Sequence, residues 1–141
     1  MRILLVDDHS PFRQGLRDLL SASEAFEIVG EAGSGSEAVE MAHELFPDVV
    51  LMDIALPGGY GGLEATRRIL ESLPEVKVIM LSGHGENIYV EQAIKIGALG
   101  YVYKEAAFDE LQIALETVEK GIPYLSPVLQ YKSINGDFGV S

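Results

Sequence analysis

Cysteine and tryptophan are both absent from the 141 residues. Without a thiol, no disulfide and no thiolate-held metal can form, and a reducing compartment suits the chain. Positive charge is scarce: 10 Lys and Arg stand against 22 Asp and Glu, a formal net charge of -12. A chain this acidic lacks the attraction to phosphates on which nucleic-acid binding rests. We therefore expect no nucleic acid binding by this chain itself, and a solvated acidic surface instead. Long apolar runs are missing as well. Met1-Arg2 leads straight into Ile3-Leu4-Leu5-Val6, too short a run for a secretory leader. No stretch approaches the roughly 20 apolar residues of a membrane helix. The expectation is a cytoplasmic chain with no membrane association. His9, His43 and His84 show no metal-ligand spacing; His43 reads as a helix surface residue, and His84 as a residue bordering any site near Ser82.

What is present points to one folded domain. The hydrophobic share is 48%, and the length suffices for a full core. Short apolar runs alternate with segments of helical period. Val49-Val50-Leu51-Met52 is a run for a strand buried on both faces, and it stops at Asp53. The run at residues 3–6 stops in the same way at Asp7-Asp8. Further strands are expected at 26–30, 76–81 and 100–103. Between them, Phe12, Leu16, Leu19 and Leu20 make one apolar stripe behind Ser10-Pro11, a cap followed by a first-turn proline. Ser34 with Glu37 fits a capping box, and Pro47 closes that helix. Leu63, Ile69 and Leu70 mark a third helix; Val90, Ala93 and Ile94 mark a fourth, ending at Gly97. Phe108, Leu111, Leu115 and Val118 mark a fifth, ending near Gly121. Strand and helix in strict alternation predict a doubly wound α/β fold, a five-stranded parallel sheet with five helices on its two faces. The domain is expected to span residues 1–121. Residues 122–141 read as a tail or the start of a linker, with Asn135-Gly136 as one hairpin-like turn.

In such sheets chemistry gathers beyond the carboxyl ends of the strands. The strand ends here supply Asp7, Asp8, Asp53, Ser82 and Lys104. Each alone could be a turn or cap residue. Together they put acids, a hydroxyl and a cation at one edge. Clustered carboxylates repel unless a proton or a cation intervenes, and oxygen ligands suit magnesium, Mg2+. A carboxylate on a buried strand end can attack phosphorus. Metal, ammonium and hydroxyl would then neutralise the phosphoryl oxygens.

Four stretches carry a resemblance: Leu4-Leu5-Val6-Asp7-Asp8-His9; Asp53 with Pro57 four residues on; Val78-Ile79-Met80-Leu81-Ser82; and Gly97-Ala98-Leu99-Gly100-Tyr101-Val102-Tyr103-Lys104. From about Arg2 to Gly121 the chain resembles the receiver domain of two-component response regulators. The His9, Phe12-Arg13 and Gly15-Leu16 wording is most similar to the subfamily with a helix-turn-helix output domain of the LuxR/NarL type. The resemblance implies a flavodoxin-like sheet of strand order 2-1-3-4-5. It makes Asp53 the phosphoacceptor. It makes Asp8, Asp7 mostly through water, Asp53 and the Ala55 backbone carbonyl the Mg2+ ligands. Ser82 and Lys104 would hold phosphoryl oxygens, and Ser82 with Tyr101 would form the switch. A sensor histidine kinase would be the phosphate donor, a homodimer on phosphorylation is one possible state, and the output would be transcription control rather than catalysis of its own. The alternative is a standalone receiver acting by protein–protein contact or phosphorelay.

Two departures stand out. Gly61 holds the family's glycine position eight residues after Asp53, yet Gly62 intervenes before Leu63-Glu64, so the loop is one residue longer. Glu105 follows Lys104 where many receivers have proline; a cis bond to a non-proline residue costs about 3 kcal/mol, so a trans bond is expected. Rival readings are weaker. Asp53-Ile54-Ala55 lacks the second acid of haloacid-dehalogenase-type phosphatases, a flavin module gives no reason for the acidic pair, and a degenerate receiver would not keep the full set. The run Gly58-Gly59-Tyr60-Gly61-Gly62 has no Gly-Lys-Ser/Thr and is no P-loop.

Overall fold

The computed structural model describes residues 1–83 and 87–128. The expectations for His84 and for Asn135-Gly136 lie outside the described residues. The chain runs β1 (Arg2–Val6), α1 (Ser10–Ser21), β2 (Glu27–Ala32), α2 (Gly35–Leu45), β3 (Val49–Asp53), α3 (Gly62–Ser72), β4 (Lys77–Ser82), α4 (Val90–Ile96), β5 (Gly100–Tyr103), α5 (Ala107–Glu119) and β6 (Tyr124–Leu125). Single turns of 3-10 helix, Asn87–Tyr89 and Lys104–Ala106, precede α4 and α5.

All strand pairs are parallel, in the order β2-β1-β3-β4-β5-β6. The side-chain period of two divides the strands between two cores. Leu4, Val6, Val50, Met52, Val78 and Met80 face α2, α3 and α4, meeting Ala42, Ile69 and Ala93. Ile3, Leu5, Val49, Leu51, Ile79 and Leu81 face α1 and α5, meeting Leu16, Leu20, Leu111 and Leu115. Burial on both faces is why these runs are continuously apolar rather than alternating.

The doubly wound fold and its five-strand order are as expected. The differences are local. β6 adds a sixth strand beyond residue 121, within the stretch expected to be a tail. The N-cap of α1 is His9, not Ser10, and makes no side-chain cap bond. Asp7 is the reason: its Oδ1 accepts the His9 amide at 2.6 Å, so the chain turns into the helix one residue early. Ser34 caps α2 and accepts from the Glu37 amide at 3.2 Å. Glu37 reaches back to the amide of Gly33 rather than that of Ser34, at 2.6 Å. Gly97 ends α4 in the left-handed region at φ 114, as its position suggests. The Lys104–Glu105 bond is trans.

Candidate functional site

β1 and β3 are neighbours and end at the same edge, which sets the acidic residues side by side. Asp7 follows β1 and Asp53 is the last residue of β3; both are about 2% exposed, while Asp8 is exposed to solvent. Carboxylate oxygens of Asp7, Asp8 and Asp53 all lie within 4.8 Å of one another. Lys104, the first residue after β5, reaches back across β4 to them. Its Nζ sits 2.7 Å from Asp7 Oδ2 and 3.1 Å from Asp53 Oδ2.

The environment shapes the charges. Burial, and then the neighbouring Asp7 carboxylate, raise Asp53 to about 6 against the pull of Lys104. Burial pushes the Lys104 ammonium down, but contact with Asp7 and the charge of Asp53 outweigh it and leave it above the ordinary lysine value. The balance is unequal: one ammonium faces three acids. Asp7 Oδ2 meets Lys104 as an ion pair, yet that buried oxygen has no hydrogen-bond partner among the described residues. Lys104 brings one positive charge to the cluster, which stays net negative unless a proton or a further cation joins it. Three hard oxygen donors this close together fit a divalent cation of the magnesium kind.

The rest of the site is held by contacts that sequence spacing does not reveal. Arg13, in the first turn of α1, donates to the Asp7 carbonyl at 2.5 Å and to Glu31 of β2 at 2.9 Å. It thereby pins the backbone that carries the acidic pair. The Phe12 ring lies 4.7 Å from Lys104 Nζ and meets Phe108 edge-on at 5.6 Å. Asp53 Oδ1 accepts from the Ala55 amide at 3.2 Å. Ser82, the last residue of β4, is fully buried; its hydroxyl donates to the Gly83 carbonyl at 3.3 Å. Ser82 pairs in register with Tyr103, so it lies one strand from Asp53. Tyr101 is 2% exposed and packs in the core on the α4 side. His43 is exposed, as expected, and links α2 to α3 through Ser72 at 2.7 Å.

The extra loop residue is absorbed around Tyr60. Arg68 of α3 lies 4.2 Å over the Tyr60 ring, whose other contacts include Gly35 at the start of α2. Gly62, not Gly61, occupies the tight position. A Cβ there would come to 2.1 Å from the Asp53 carbonyl oxygen, while one on Gly61 would stay 3.3 Å from that of Ile54. Counting residues from Asp53 assigns the role to the wrong glycine, because spacing cannot locate where an insertion is absorbed.

The fold and this edge define a class: flavodoxin-like α/β domains with an acidic pocket at the carboxyl end of a parallel sheet. The chain belongs to the response regulator receiver domain family, whose sequence pattern matches residues 3–116. It is 43% identical over 126 residues to the response regulator UvrY of Escherichia coli (strain K12), covering 89% of this chain and 57% of that protein. It is 39% identical over 134 residues to the transcriptional regulatory protein DegU of Brevibacillus brevis, covering 95% of this chain and 56% of that one. The chain thus spans less than two thirds of the length of these curated relatives. A crystal structure of a LuxR-family two-component response regulator from Aurantimonas sp. SI85-9A1 matches with a TM-score of 0.90 and 34% identity over 96% of either chain. Among the described residues no helix is long and apolar enough to cross a membrane.

Proposed function

We propose that the chain accepts a phosphoryl group on Asp53 and converts it into a change of shape. The observation that carries this reading is the Asp7, Asp8 and Asp53 cluster with Lys104 Nζ bridging two of its members. Asp53 is the better nucleophile of the buried pair. Asp7 Oδ1 is tied to the His9 amide at 2.6 Å, whereas Asp53 Oδ1 has only the 3.2 Å contact with Ala55.

In the reaction an Asp53 carboxylate oxygen bonds to phosphorus. The bond from phosphorus to the donor breaks as it forms, and its electron pair stays on the imidazole nitrogen of a sensor histidine kinase's phosphohistidine. Asp8, Asp7 and Asp53, with the Ala55 carbonyl, would hold Mg2+. That ion supplies positive charge against the phosphoryl oxygens when bound. Lys104 then exchanges its contact with Asp53 for a phosphoryl oxygen, a move of one side chain already placed at the site. Ser82 turns its hydroxyl from the Gly83 carbonyl to another oxygen. The signal passes to Tyr101 on the neighbouring strand and so to the α4–β5 side of the domain.

The output is control of transcription through a further domain or partner, as the names of relatives suggest, with a homodimer as one phosphorylated state and the cytoplasm as the setting. No catalysis beyond handling its own phosphoryl group is needed. Incubation with a small acyl phosphate and Mg2+ tests the reading. Intact mass should rise by one phosphoryl group, chelation should prevent it, and Asp53→Asn should stay unmodified. Equal labelling of that variant contradicts the assignment.

A further inference from the structure

The strand that the sequence hides is tied down more heavily than two residues of ladder require. The Tyr124 amide donates to the Leu99 carbonyl at 3.0 Å, and the Ser126 amide to the Tyr101 carbonyl at 2.9 Å. The Tyr103 amide donates in return to the Ser126 hydroxyl at 3.1 Å. Glu110, projecting from α5, collects both hydroxyls of the segment, Tyr124 at 2.8 Å and Ser126 at 2.5 Å. Ser126 is fully buried by this arrangement. Burial, and then the bond to Glu110, hold the Tyr124 phenol at about 12, so it remains a donor at any physiological pH. Leu125 stands opposite Tyr101 in register and packs on the same core. A cavity of about 280 Å³ lies between α4 and this edge, with Ala93, Ile94, Tyr101 and Leu125 in its wall.

β5 is therefore shared. Its middle carries Tyr101, its end delivers Lys104 to Asp53, and its outer edge holds β6. Resting on the phosphoacceptor reading, we propose that residues 124–126 form a latch whose docking on β5 is coupled to the phosphoryl site. The occupant of the β5 edge is thus the chain's own segment beyond α5, clasped by Glu110. The coupling has a definite sign. The Ser126 hydroxyl holds the Tyr103 amide at 3.1 Å, and the next residue is Lys104, so the docked latch fixes the backbone from which Nζ reaches Asp53. A phosphoryl group at Asp53 needs Nζ in that place, and release of the latch frees the end of β5 that carries it. A filled site therefore favours the docked latch. By reciprocity the docked latch favours the filled site by the same factor. Residues 124–126 are held against the domain in one state and released in the other.

The test is the affinity of the 141-residue chain for beryllofluoride, a phosphoryl mimic, with Mg2+ present. Ser126→Ala, and the double variant Glu110→Ala with Ser126→Ala, remove the clasp without touching the acidic cluster. Each should bind the mimic roughly fivefold or more weakly than wild type. Their affinity for Mg2+ alone should not fall, because Asp7 and Asp8 hang from β1; a merely damaged fold would lower both. In wild type, amide exchange at Tyr124, Ser126 and Tyr103 should slow when the mimic binds. Variants that bind the mimic as tightly as wild type, or more tightly, overturn the latch while leaving the phosphoacceptor reading in place. A wild-type chain that binds no mimic overturns both.

Discussion

At the residue scale the account turns on Asp53. Its carboxyl is raised from 3.8 to about 6, by burial first and the Asp7 charge second. Between those values the folded chain holds a proton that the unfolded chain has lost. This group therefore stabilises the fold at low pH, and that contribution disappears as pH rises through about 6. Asp53→Asn resembles the protonated form at every pH. Without divalent ions it should be more stable than wild type near neutral pH by on the order of 2 kcal/mol, and the difference should shrink toward about pH 4. Urea unfolding at the two ends of that range measures it; a gap that widens on acidification would contradict the assigned environment. Asp7, Asp8, Asp53, Ser82 and Lys104 are legible in the sequence because each ends an apolar run, and run ends in a parallel sheet meet at one edge. Arg13 and Phe12 are not legible as parts of the site. They come from a helix turn, and only the packing of α1 beside β2 and α5 brings them to Asp7 and Lys104.

At the scale of elements, five strands and five helices can be read from the sequence, because continuous apolar runs and helical stripes are separated by caps and prolines. β6 cannot. It is two residues long, shows no period of its own, and exists through the bonds that β5 and Glu110 offer it. At the start of α3, spacing places the tight glycine one residue too early. Gly62→Ala sets a methyl against the end of β3, with the Asp53 carbonyl in its way. It should cost about 1–3 kcal/mol and, on the proposed function, slow phosphorylation, since the shifted backbone is the one that carries Asp53. Gly61→Ala should be milder on both counts. Thermal unfolding and labelling rates of the two variants decide it, and a reversed ranking would show that Gly61 keeps the family role after all.

At the scale of the whole molecule, a net charge of -12 works against compactness, and the acidic cluster concentrates that repulsion at one edge of the sheet. Ligand binding there should stabilise the entire fold. At about a hundred times its dissociation constant, Mg2+ contributes ~2.7 kcal/mol, enough to raise the melting temperature by several degrees. Asp8→Ala should abolish most of that rise, while sodium chloride at equal ionic strength should not reproduce it. An equal rise in the variant would mean that general screening, and not a site, is responsible. The central claim is that among 22 acidic residues one takes the phosphoryl group. Borohydride reduction reads this directly, because it converts an aspartyl phosphate to homoserine and leaves free carboxylates and phosphoserine untouched. After exposure to an acyl phosphate and Mg2+, peptide mass mapping should find homoserine at position 53 and aspartate intact at positions 7 and 8. Homoserine at either of those positions, or at none, would contradict the account.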